Sequence, residues 1–130
     1  MVKNFIITET KITEKKGSED GEIREISTKE ELTELMERMP YIKTIQAPTL
    51  KIRKELYEIS MQKYEDIEWV RVIKSVYLRM KEQRYEDFEI EYMERAKFFL
   101  YGEIAIRFDI PINQVEEFVN DTVKKYLEEF

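Results

Sequence analysis

The stretch WVRVIKSVYLRMKEQRYEDFEIEYMERAKFFLYGEIAIRF, residues 69 to 108, decides the fold. Trp69, Val72, Ile73, Val76, Tyr77 and Met80 recur at the three- and four-residue spacing that gathers side chains on one face of a helix. Arg84 to Asp87 break that pattern. Phe88 to Phe108 then carry apolar residues on most faces after Ala96, so this segment is predicted to be a central helix enclosed by its neighbours.

Working outward, Pro48 or Thr49 opens a predicted helix to about residue 63, with Ile52, Leu56, Ile59 and Ser60 as its apolar face. Before it, PYIKTIQAP (residues 40–48) holds two prolines and reads as an extended linker. Ser27 and Thr28 precede Glu30 and Glu31 at capping-box spacing, and Leu32, Leu35 and Met36 share a face, predicting a helix over 28–39. On the other side, Asp109-Ile110-Pro111 ends the central helix. Val115, Phe118, Val119, Thr122, Val123 and Tyr126 then mark a last amphipathic one. At the N-terminus, β-branched residues 4–13, the turn-forming GSEDG at 17–21 and the run GEIREIS predict a β-hairpin. The expected architecture is mainly α: a compact bundle of about five helices with a short N-terminal β-hairpin. Residues 1–26 form the hairpin or extended arm and residues 27–130 the helical domain.

The chain of 130 residues suits one main core. It has no cysteine and no histidine, which removes disulfides, thiolate chemistry, ordinary zinc sites and the commonest general base. No carboxylate pair, glycine-rich phosphate loop or nucleophile-base set stands out. The expectation is therefore a non-enzyme with no catalytic residues, no metal and no cofactor. Without a signal-peptide core or an apolar run long enough to span a bilayer, a cytoplasmic location and no membrane partner are expected.

The net charge of −6 argues against nucleic acid, but the charge is uneven. Residues 1–40 carry 7 basic and 10 acidic groups, residues 41–84 carry 10 and 6, and residues 85–130 carry 5 and 12. The basic middle holds Lys43, Lys51, Arg53, Lys54, Arg71, Lys74, Arg79, Lys81 and Arg84. These cations suit a phosphate-contacting face; the competing reading is a solvated surface with helical pairs such as Lys51 with Glu55 and Lys54 with Glu58. Trp69 lies on an apolar face and is predicted to be core. Glu103, in the most apolar part of the central helix, is predicted to be structurally paired with a group of the third helix or the linker. Residues 103–119 have helix-turn-helix-like spacing, but Glu116, Glu117 and Asp121 give the second helix the wrong sign for DNA.

Val72, Val76, Tyr77 and Arg79, followed by Met93, Ala96, Lys97, Leu100, Glu103 and Ala105, resemble the pattern of the CarD/CdnL family of bacterial RNA polymerase-binding transcription regulators. GEIREISTKEEL also looks like the junction between that family's two domains. The resemblance covers about residues 21 to 120 and implies a helical domain that touches DNA at the upstream edge of the promoter bubble. It also implies that the polymerase-binding Tudor-like β domain is missing or reduced to a hairpin, since residues 1–20 are too few to form it. The family wedges a tryptophan into the minor groove and follows it with arginines. Gapless spacing puts Leu50 at the tryptophan position and Ile52 and Arg53 at the arginine positions, with Lys51 and Lys54 beside them. The resemblance thus makes Leu50, Lys51, Arg53 and Lys54 the expected DNA-binding residues, and the basic face adds Lys43 and Lys74. Expected partners are DNA near promoters and RNA polymerase or a CarD-like protein. The alternative is a stand-alone protein-interaction module that forms a homodimer or binds a partner through its N-terminal hairpin.

Overall fold

The computed structural model describes the backbone of residues 4–7, 11–16 and 19–128 and the side chains of residues 25–128. Thr28 opens α1 (Lys29–Arg38) through the expected reciprocal cap. Its hydroxyl accepts the Glu31 N–H at 3.1 Å, and the Glu31 carboxylate accepts the Thr28 N–H at 2.9 Å. A 3-10 turn at Met39–Tyr41 and an extended segment follow, and Thr49 then caps α2 (Leu50–Gln62) by accepting the Ile52 N–H at 3.2 Å. The remaining helices are α3 (Asp66–Lys81), α4 (Asp87–Phe108) and α5 (Val115–Glu128). The chain is mainly α, a five-helix bundle, as its periodicity predicts.

Helix α4 is central: it packs on α1, α2, α3 and α5. Its buried side chains include Met93, Ala96, Phe99, Leu100 and Ile104. Trp69 of α3 is fully buried and lies nearly parallel to Phe99, with ring centroids 5.1 Å apart, so the predicted core role holds. Tyr64 meets the same Phe99 edge-on at 5.7 Å. Tyr64, Gln83 and Asp109 have φ of 51°, 59° and 53°, so α2, α3 and α4 all end in left-handed turns without glycine. At Asp109 the turn sends the Ile110 N–H back to the Ala105 carbonyl at 3.1 Å and aims α5 onto the bundle.

Two expectations about helix faces are corrected. Helix α2 buries Ser60 and packs Leu56 on the core as expected, but it also buries Arg53, Tyr57 and Met61, whereas Ile52 and Ile59 are 38% and 52% exposed. The two stripes overlap at Ser60; the polar anchorage of Tyr57, given below, turns the buried face away from Ile52 and Ile59. Tyr77, expected in the core, is 58% exposed, and α3 instead buries Glu68, Val70 and Ser75 along with Trp69, Val72 and Val76.

Ahead of α1 the backbone runs as β1 (Asn4–Ile7), β2 (Lys11–Lys16) and β3 (Glu19–Glu25), antiparallel in the order β1-β2-β3. The predicted N-terminal hairpin falls on this arm, and its side chains up to residue 24 lie outside the described residues. Among the described residues no helix is long and apolar enough to cross a membrane.

Candidate nucleic-acid interface

Four of the six expected DNA-binding residues are solvent-facing. Leu50, the first residue of α2, is 47% exposed; Lys51 and Lys54 are exposed on the same helix, and Lys43 is exposed in the extended segment before it. Leu50 and Lys54 are four residues apart and share a face. The first turn of α2 reads Leu50-Lys51-Ile52-Arg53 and holds no carboxylate, whereas those of α1, α3, α4 and α5 each hold two. Cations at a helix amino end oppose the helix dipole, and that opposition is relieved when an anion sits over the exposed N–H groups.

The other two are turned into the protein. Arg53 is only 9% exposed, and its Nη2 donates to the Ala47 carbonyl at 3.2 Å, because the observed phase of α2 turns it inward. Lys74 directs its ammonium at the carbonyls of Met39, Pro40 and Ile42, at 3.1, 3.0 and 2.7 Å. Three donors meet three acceptors, so Lys74 closes the 3-10 turn and is not open to a phosphate. Other cations of the basic middle also hold partners within the protein, though not on every nitrogen. Arg71 donates to Glu68 at 3.0 Å and to the Lys43 carbonyl at 3.3 Å. Arg79 bonds Glu89 and the Arg84 carbonyl, and Arg84 bonds Glu82. The competing Lys54–Glu58 pair is displaced as well: Glu58 accepts the Tyr92 hydroxyl and lies 3.9 Å from Arg95.

Sequence reasoning missed the polar centre that holds this arrangement. Glu89, fully buried, accepts the Tyr57 hydroxyl at 2.7 Å, Arg79 Nε on both oxygens at 3.1 and 2.9 Å, and the Glu86 N–H at 3.0 Å. The only sequence signal was Glu89 three residues after Glu86, in capping position at the start of α4. Burial, followed by the bond to Glu89, pushes the Tyr57 hydroxyl well above its usual range. Burial and the Glu58 bond raise Tyr92 to about 12, and burial with the nearby charges of Glu116 and Glu94 raises Tyr101 to about 12. All three stay neutral phenols at physiological pH.

Glu103 is also fully buried, and its Oε1 accepts the Ser27 N–H at 2.8 Å. One turn on, Arg107 donates to the carbonyls of Ser27 at 2.8 Å and Ile26 at 3.0 Å. The Ser27 hydroxyl in turn donates to Asp66 at the start of α3. Glu103 thus anchors the junction ahead of α1, tying the base of the N-terminal arm to α4. Among the described residues no group of acidic side chains is placed to hold a metal ion. Comparison with protein-family models and with curated proteins gave no match.

Proposed function

We propose that this chain is a non-enzymatic, transcription-associated regulator similar to the helical domain of CarD-type proteins, touching the DNA backbone weakly with the amino end of α2. The observation that carries the reading is the exposed Leu50 flanked by exposed Lys51 and Lys54 in a first turn without a carboxylate. Lysines there meet phosphates, and an exposed leucine at a helix tip supplies an apolar wedge against an opened base step. A cytoplasmic location belongs to the same reading.

The contact is weak by construction. With Lys43, Lys51 and Lys54 as its phosphate contacts, the log-log salt slope is about −2.7 on duplex DNA. The net charge of −6 confines binding to this edge. The test is fluorescence anisotropy with a forked duplex at low ionic strength. Lys51→Glu combined with Lys54→Glu should abolish binding while leaving the urea midpoint in place, and Leu50→Ala should weaken the fork more than the plain duplex. Equal binding by wild type and the double variant would remove this face from consideration.

The second reading is a protein-interaction module whose N-terminal arm pairs with RNA polymerase, a CarD-like protein or a second copy. It is supported by the strand order β1-β2-β3, which leaves β1 and β3 as edges, and by the clamp that fixes the arm's base. Sedimentation of the full chain and of a form lacking residues 1–20 decides it: a monomer in both cases rules out self-pairing.

A further inference from the structure

Between the extended segment before α2 and the C-terminal end of α3 lies a cavity of about 100 Å³, lined in part by Thr44, Gln46, Arg53, Arg79, Glu82 and Arg84. At about 30 Å³ of liquid volume per water, it has room for roughly three waters. Three guanidinium groups around so small a space demand an account of charge. Arg79 is matched by Glu89 at 2.9 Å and Arg84 by Glu82. Arg53 is matched by nothing: among the described residues no carboxylate lies within 4.0 Å of it, and its one side-chain bond goes to the Ala47 carbonyl. A buried charge is costly unless it is paired. Arg53 is nine-tenths buried, but none of its nitrogens is both buried and without a partner, so its unbonded N–H groups reach the water of the cavity that it lines. Arg79 adds a terminal nitrogen that takes part in no hydrogen bond among the described residues. Thr44 Oγ1 accepts from the Gln46 amide at 2.7 Å, which leaves its own hydroxyl proton free to donate.

We infer that this cavity is a binding site for one tetrahedral oxyanion, a phosphate group, held from within by Arg53 and Arg79 and at the mouth by Arg84. The inference does not rest on the proposed DNA contact, which uses the exposed lysines of α2. Glu82 is the opposing group: the anion takes Arg84 from it, and the exposed carboxylate returns to water. The phosphate has two sources, a free ion or a nucleic-acid backbone, and both present the same oxygens to the fork of an arginine.

The test uses the intact chain and inorganic phosphate, with chloride at matched ionic strength as control. Melting temperature is followed against phosphate concentration, together with the ¹⁵Nε resonance of Arg53. The site predicts a saturable rise in melting temperature above the chloride control and an Arg53 shift on the same isotherm. Arg84→Gln, an exposed change outside the core, should weaken the phosphate constant roughly tenfold, the worth of one charge-assisted bond. A rise that never saturates, or one that Arg84→Gln leaves unchanged, overturns the site. So does an Arg53 resonance that stays still while the melting temperature climbs. In a competition arm, displacement of phosphate by a short duplex identifies the backbone as the ligand, and coexistence of the two identifies a free ion; either result keeps the site.

Discussion

Replacing Glu89 by alanine should remove a large part of this protein's stability margin, although the residue itself touches no solvent. The wild-type carboxylate is fully buried and holds three donors: the Tyr57 hydroxyl, Arg79 Nε and the Glu86 N–H. Alanine leaves all three without an acceptor, and leaves Arg79, 19% exposed in its side chain, as an uncompensated cation. Breaking a buried pair in this way costs about 3–5 kcal/mol. A domain of this size has about 5–15 kcal/mol in total, so the variant sits close to the unfolding threshold. The control is Glu34→Ala, which removes an exposed pair with Arg38 at 3.7 Å and costs at most about 1 kcal/mol. Urea denaturation followed through Trp69, the single buried tryptophan, gives both values as midpoint shifts at constant slope. The rescue is as informative as the loss. Tyr57→Phe, Arg79→Met and Glu89→Leu together remove the two side-chain donors with their acceptor, leaving only the Glu86 N–H unpaired, and should recover much of the stability. If Glu89→Ala stays within about 1 kcal/mol of wild type, or the triple variant is no better than the single one, the polar centre does not hold α2, α3 and α4 together as argued.

Lys74→Met should cost about 1–3 kcal/mol, because it leaves the carbonyls of Met39, Pro40 and Ile42 without their donor; an unchanged urea midpoint would show that water replaces the ammonium. Gln83→Gly should stabilise by up to about 1 kcal/mol, since Gln83 is exposed at φ 59° where a side chain is penalised, and a lower melting temperature would refute this. Tyr92 ionises near 10.0 when unfolded and near 12 when folded, so its contribution is fully present below pH 10 and is lost as pH rises toward 12. Tyr92→Phe should flatten that alkaline decline in a chemical-denaturation series from pH 9 to 12; an unaltered slope would mean that the decline arises elsewhere.

Helix existence, order and caps were legible because each is local: Thr28 with Glu31 and Thr49 with Ile52 act within one turn. Trp69 was legible as core from its neighbours on one face. The phase of α2 was not. The predicted stripe of residues 52, 56, 59 and 60 and the observed one of 53, 57, 60 and 61 share only Ser60, both satisfy helical spacing, and the choice between them is made by Glu89, 32 residues from Tyr57 in sequence. The same long range hid the commitment of Lys74, whose acceptors lie 32 to 35 residues away. A helical wheel counts charges by face and cannot separate a cation that caps carbonyls from one that waits for a partner.

That separation changes what the basic middle of the chain can do. Residues 41–84 hold 10 cations against 6 carboxylates, an excess of 4, yet Arg53, Arg71, Lys74, Arg79 and, at the surface, Arg84 already hold partners within the chain. Engaged cations still shape the field, but at physiological salt that field fades within about 8 Å; Lys63 pairs with Glu68 and Lys81 lies at the far end of α3, so direct contact around the amino end of α2 falls to Lys43, Lys51 and Lys54. Three such contacts, each worth little in water, do not hold DNA against the repulsion of the acidic C-terminal third. On the proposed reading the domain therefore acts only where something else supplies nearness, since tethering raises the local concentration of a weak site to the millimolar range. The clamp of Glu103 and Arg107 on Ile26 and Ser27 suits that demand: it fixes where the arm leaves the bundle, so a partner holding the arm would also orient the amino end of α2. Arg107→Ala loosens the clamp without touching α2. It should therefore leave fork binding by the isolated chain unchanged and weaken only binding that depends on a partner held through the arm.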